Sequence, residues 1–88
     1  MAVNRRDFLL LRHGQPAVLS CERLFMRYLD AEQADGAAQL FAALAGDLRR
    51  VKSVRLTDTS WRARADFDRH LTEALEVFVK GGGTVVAG

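Results

Sequence analysis

Cysteine occurs once in this 88-residue chain, at Cys21, and histidine only twice, at His13 and His70. A lone cysteine excludes an internal disulfide and a cysteine-rich zinc site, and it makes a reducing cytosol the expected compartment. No stretch approaches the roughly 20 consecutive apolar residues that a membrane span requires. An excess of charge is also missing: the formal net charge is +2, too small to argue for nucleic acid by itself. Arginine nevertheless supplies 11 of the 13 basic residues, and a guanidinium is the better fork for phosphate.

The N-terminal Asn4-Arg5-Arg6-Asp7-Phe8-Leu9-Leu10 looks like a twin-arginine export signal, and Val18-Leu19-Ser20-Cys21 faintly resembles a lipoprotein cleavage box. An export signal needs about 7 to 15 apolar residues in a row. Here Arg12 to Gln15 interrupt the run after Phe8 to Leu11, so a cytoplasmic protein is expected. At 49% hydrophobic and 27% charged residues, the composition is that of an ordinary globular chain, with length for one modest core. A single compact domain over residues 1–88 is the expectation.

Along the chain, the pattern alternates between strand and helix periods. Residues 8 to 11 form a buried-strand-length apolar run, and Pro16 to Ser20 reads as a second short strand or a loop. From Glu22 the period turns helical, with Leu24, Phe25, Tyr28 and Leu29 on one face until the polar stretch from Glu32 to Gly36. A second helix is expected at about residues 37 to 50, with Leu40, Phe41, Leu44, Leu48 and Val51 inward and Arg49 and Arg50 in its last turn. Val54 and Leu56 alternate with Arg55 and Thr57 as a strand, and Asp58-Thr59-Ser60 offers capping groups for the next helix. That helix should begin between Trp61 and Asp66 and run to Lys80, with Phe67, Leu71, Ala74, Leu75 and Phe78 as its apolar stripe. Gly81-Gly82-Gly83 then releases the chain into a last strand, Thr84 to Ala87. The order β(β)ααβαβ implies an α/β fold: a small single-layer sheet of three or four strands, at least partly parallel, packed with about three helices.

The glycine triplet follows a helix instead of opening one and lacks a Lys-Ser/Thr pair, so it is no nucleotide loop. No metal site or cofactor is expected. Cys21 reads as a small buried residue, His70 as a surface helix residue, and Trp61 as a partly buried anchor over the sheet. Phe25, Met26 and Tyr28 form a candidate sticky face, so a protein partner or a homodimer through the first helix is expected. The reading that follows is a non-catalytic interaction or regulatory module. Val54 to Ser60, then a helix, then Gly-Gly-Thr-Val-Val, is also similar in pattern to small STAS-like regulatory domains. A nucleic-acid binder would instead need Arg49, Arg50, Lys52 and Arg55 on one face.

A different function is implied by the apolar strand that ends in Arg12-His13-Gly14, which resembles the opening of the histidine phosphatase superfamily, the phosphoglycerate mutase-like enzymes. Gly36-Ala37-Ala38-Gln39 and Arg23 lie where that family often carries a Gly-x-x-Gln helix start and an arginine. Arg62-Ala63 follows the Val54 to Thr57 strand at about the distance of the family's second phosphate-binding arginine. The resemblance covers residues 8 to 65. It implies that His13 is a catalytic nucleophile, that Arg12 and Arg62 bind the phosphoryl oxygens, and that the substrate is a phosphorylated small molecule. A neutral imidazole and two guanidiniums suit that chemistry. The sequence departs from the family at Asp58, where serine is usual and a carboxylate repels phosphate. Thr84 to Gly88 resembles the strand leading to the family's second histidine, and neither that histidine nor the general acid is matched here. His70 and Glu73 have no matching context. On this reading the domain is an incomplete or divergent phosphohydrolase or phosphate-binding relative.

Overall fold

The computed structural model describes residues 8–11 and 15–86. Four strands and three α-helices follow in the order β1 (Leu9–Leu10), β2 (Ala17–Ser20), α1 (Cys21–Gln33), α2 (Ala37–Leu48), β3 (Ser53–Thr57), α3 (Ala65–Lys80) and β4 (Thr84–Val86). A 3-10 turn at Thr59–Ala63 connects β3 to α3. The sheet order is β1-β2-β3-β4, with β1 antiparallel to β2 and the other neighbours parallel. The α/β fold with a partly parallel four-stranded sheet and three helices is the one the periodicity implies.

Both parallel crossovers step in one direction across the sheet, and right-handed connections then put all their helices on one face. The helices pack there side by side, α2 touching both α1 and α3. The strand alternation obeys this layering. Leu9, Ala17, Leu19, Val54 and Leu56 are buried in the core and Val85 packs against it. Leu10, Val18, Arg55 and Val86 stand in register in one row on the opposite face.

Phe67 of α3, fully buried, is the hub beneath the helices. Its ring meets Phe25 edge-on at 5.1 Å, and it also contacts Tyr28 and Phe41. Trp61 is partly buried as the sequence suggested, its ring 5.5 Å from that of Phe25 in α1, and Arg64 lies over the Phe25 ring, 5.4 Å from its centroid. Such contacts add to the area term that dominates a core of this size.

Several expectations shift by a residue or a face. β1 is confined to Leu9–Leu10. Leu29, expected inward, is 40% exposed, whereas Phe25 and Tyr28 are buried, so of the three candidate sticky residues only Met26 is at the surface. The reason is helical phase: Cys21, Leu24, Phe25 and Tyr28 already fill the inward stripe, and Leu29 falls beyond its edge. α2 ends at Leu48 with Arg49 as its cap, two residues earlier than the arginines suggested. Asp58 caps the 3-10 turn in a left-handed conformation, and the residue that opens α3 is Arg64. His70 is half-buried and stacks on Phe41 at 5.1 Å with the rings 15° apart, because α2 covers that side of α3. No helix among the described residues is long and apolar enough to cross a membrane.

Candidate functional site

Open α/β sheets place ligands beyond the carboxyl ends of their parallel strands, and Ser20 and Thr57 stand at those ends of β2 and β3. β2 runs into α1 without a loop, so Ser20 is both the last strand residue and the helix N-cap. Its extended backbone lets Oγ accept from the Arg23 N–H at 3.2 Å. The same hydroxyl donates to Asp58 Oδ2 at 2.9 Å, which ties the ends of β2 and β3 together across 38 residues of sequence. Thr57 Oγ1 adds a long 3.5 Å hydrogen bond to the Leu19 carbonyl. Asp58 adopts φ 55° and ψ 43°, a left-handed conformation that aspartate tolerates better than most side chains. A cavity of about 270 Å³ opens at this edge, lined by Phe8, Leu10, Val18, Ser20, Arg23, Thr57 and Asp58.

Behind the edge, Cys21 is fully buried at the first turn of α1. Burial pushes its thiol pKa up. The Arg62 guanidinium pulls it down, and the carboxylates of Asp58 and Asp68 add to the rise. The net direction keeps the sulfur protonated, which removes it as a nucleophile at neutral pH. Arg62 stands in the 3-10 turn, with Nε donating to Asp68 Oδ1 at 2.7 Å and Nη2 donating to Thr72 Oγ1 at 3.0 Å. It is thus held along α3. Arg12 and His13, the other two residues of the phosphate-site reading, lie outside the described residues. Among the described residues no cluster of His, Cys, Asp or Glu could hold a metal ion.

The cationic residues needed by a nucleic-acid surface do not share one face. Arg55 projects from the sheet side opposite the helices, whereas Arg49 and Lys52 line a cavity of about 420 Å³ between the C-terminal ends of α2 and α3. Tyr28 turns its hydroxyl to Glu32 Oε2 at 2.8 Å, and burial, reinforced by that hydrogen bond, pushes its pKa up to about 12.

The outward side of α1 is built differently. Met26 and Leu29 are 48% and 40% exposed and lie one helical turn apart, Met26 on the side away from Leu24, Phe25 and Tyr28 and Leu29 at the margin of that stripe. Glu22, Arg23, Arg27 and Asp30 surround Met26 along a shallow depression of about 350 Å³. An exposed methionine bordered by charges of both signs, with an exposed leucine one turn away, has the composition of a small protein-docking surface. Periodicity gave the helix but not this surface, because Leu29 reads as an inward residue until the phase of the whole stripe is known. No family model matches this chain, and no curated protein or solved structure matches it either.

Proposed function

We propose that this domain is a non-catalytic protein-interaction module whose docking face is the outward side of α1. One observation carries the reading: Met26 and Leu29 are adjacent and exposed on a helix whose inward stripe is already filled by Cys21, Leu24, Phe25 and Tyr28. Full burial of such a side chain is worth about 1.5–3 kcal/mol, and with Met26 and Leu29 at 48% and 40% exposure a partner that covers them recovers about half of that for each. Methionine adapts to varied apolar surfaces, and the mixed charges of Glu22, Arg23 and Asp30 fix orientation at the rim. The state of the sheet edge supports the same reading, since Cys21 is buried and Arg62 is engaged by Asp68 and Thr72.

Photo-crosslinking from a diazirine amino acid at position 26, in the cells that make the protein, tests this directly. A discrete adduct with one partner is expected, and the same probe at exposed Ala43 of α2 should not give it. Met26→Glu/Leu29→Glu should weaken that partner's binding to the purified chain at least tenfold, about 1.4 kcal/mol, with an unchanged melting temperature. Adducts no more specific than those from position 43 would overturn the proposal.

A further inference from the structure

The helix layer ends at α3, and so does the sheet, at β4. α3 turns one side toward α2, where His70 stacks on Phe41 and Val77 shares a cavity with Ala45 and Leu48. The opposite side carries Thr72, Glu76 and Val79, which with Arg62, Leu75 and Lys80 line an open groove of about 300 Å³. No described element covers that side, and Val79 is 51% exposed. β4 pairs with β3 alone among the described strands. The Thr84 N–H donates inward to the Lys52 carbonyl at 3.0 Å. By the alternation of a parallel ladder, Val85 then directs its N–H and C=O outward, away from β3. Thr84-Val85-Val86 carries no charge and no proline to blunt this edge.

We propose that this end of the layer is a homodimer interface, in which β4 pairs antiparallel with β4 of a second copy and α3 lies alongside the second copy's α3. A twofold axis perpendicular to the sheet satisfies both contacts at once and keeps all six helices on one face. The charge pattern selects a second copy over an unrelated strand. Glu76 and Lys80 are one turn apart on the groove side, so antiparallel helices set Glu76 of each copy opposite Lys80 of the other, with Val79 meeting Val79 near the axis. The surface is thus complementary to itself in charge and in apolar content. It is separate from the α1 face, so dimerisation presents two α1 surfaces and does not depend on the function proposed for them.

Sedimentation velocity of the purified chain over a concentration series is the test, with circular dichroism melts to confirm that each variant is folded. A monomer–dimer equilibrium is expected. Val79→Glu, at a half-exposed site, should raise the dissociation constant at least tenfold. Glu76→Lys alone should weaken the dimer, and Glu76→Lys/Lys80→Glu should restore it. Met26→Glu should leave it unchanged. A chain that stays monomeric at its highest soluble concentration would overturn the proposal, as would a dimer that Val79→Glu leaves intact or one that the double charge reversal fails to restore.

Discussion

Arg62 and Asp68 form an ion pair with Nε 2.7 Å from Oδ1, six residues apart and half-exposed, joining the 3-10 turn to the first turns of α3. Thr72 completes the cradle by accepting from Nη2 at 3.0 Å. A guanidinium engaged on two nitrogens has a ready alternative to any incoming phosphate. The pair therefore bears on the choice between an interaction module and a phosphate site.

Titration with inorganic phosphate and then vanadate should leave the Arg62 Nε resonance and the His13 imidazole without saturable shifts. Nuclear magnetic resonance reads both without presuming turnover. Saturable shifts at the two residues together, lost in His13→Ala, would sink the interaction-module reading and restore the histidine-phosphatase resemblance.

Cys21 is expected to be inert in the folded protein. Burial raises its thiol pKa, and no surface of the sulfur is open, so a disulfide reagent should modify it only as fast as the chain opens. The rate should rise steeply in urea and reach one equivalent per chain. Prompt stoichiometric labelling in native buffer would show a thiolate that burial does not suppress.

The element order could be read from the sequence because each stripe is nearly complete: Phe67, Leu71, Ala74, Leu75 and Phe78 all turn inward as their spacing requires. Leu29 misled because a residue at the margin of a stripe is placed only by the neighbours that fill its centre. The Ser20–Asp58 hydrogen bond was invisible because it spans 38 residues and depends on the parallel register of β2 and β3. Arg62–Asp68 was hidden for a local reason. A separation of six is not a helical neighbour spacing, and only the 3-10 turn before α3 brings the two together. His70 could not be placed before α2 and α3 were known to be adjacent, since nothing in its own helix says what covers it.

Tyr28 gives the protein a defined alkaline limb. Its phenol is pushed from an ordinary value of 10.0 to about 12, by burial first and by the Glu32 carboxylate second. Above pH 10 the unfolded chain releases a proton that the folded chain keeps, so the contribution of Tyr28 to stability is complete below pH 10 and is lost as pH rises toward about 12. Because Tyr28 is the only tyrosine, its phenolate absorbance can be followed without interference. The folded midpoint should fall near 12, and Tyr28→Phe should flatten the alkaline slope of stability. A midpoint near 10 would mean that the hydroxyl is fully solvated.

Two glycines should respond to alanine in opposite directions. Gly83 donates its N–H to the Phe78 carbonyl at 2.9 Å, and its bare Cα lets β4 start directly against the Phe78 ring. A Cβ there would overlap Cδ1, Cε1 and Cζ of that ring. Phe78 is 7% exposed and packed in the core, so it has little room to withdraw. Gly83→Ala should therefore cost about 1–3 kcal/mol, the usual penalty for overpacking. Gly46, inside α2, would meet nothing within 4 Å of an added Cβ, so Gly46→Ala should stabilise the protein by about 0.4–1 kcal/mol through helix propensity and a less disordered unfolded chain. Urea midpoints of the two variants should bracket that of the parent. A Gly83→Ala chain that unfolds with the parent would show the Phe78 ring swinging clear, and would locate the constraint on β4 elsewhere than at this contact.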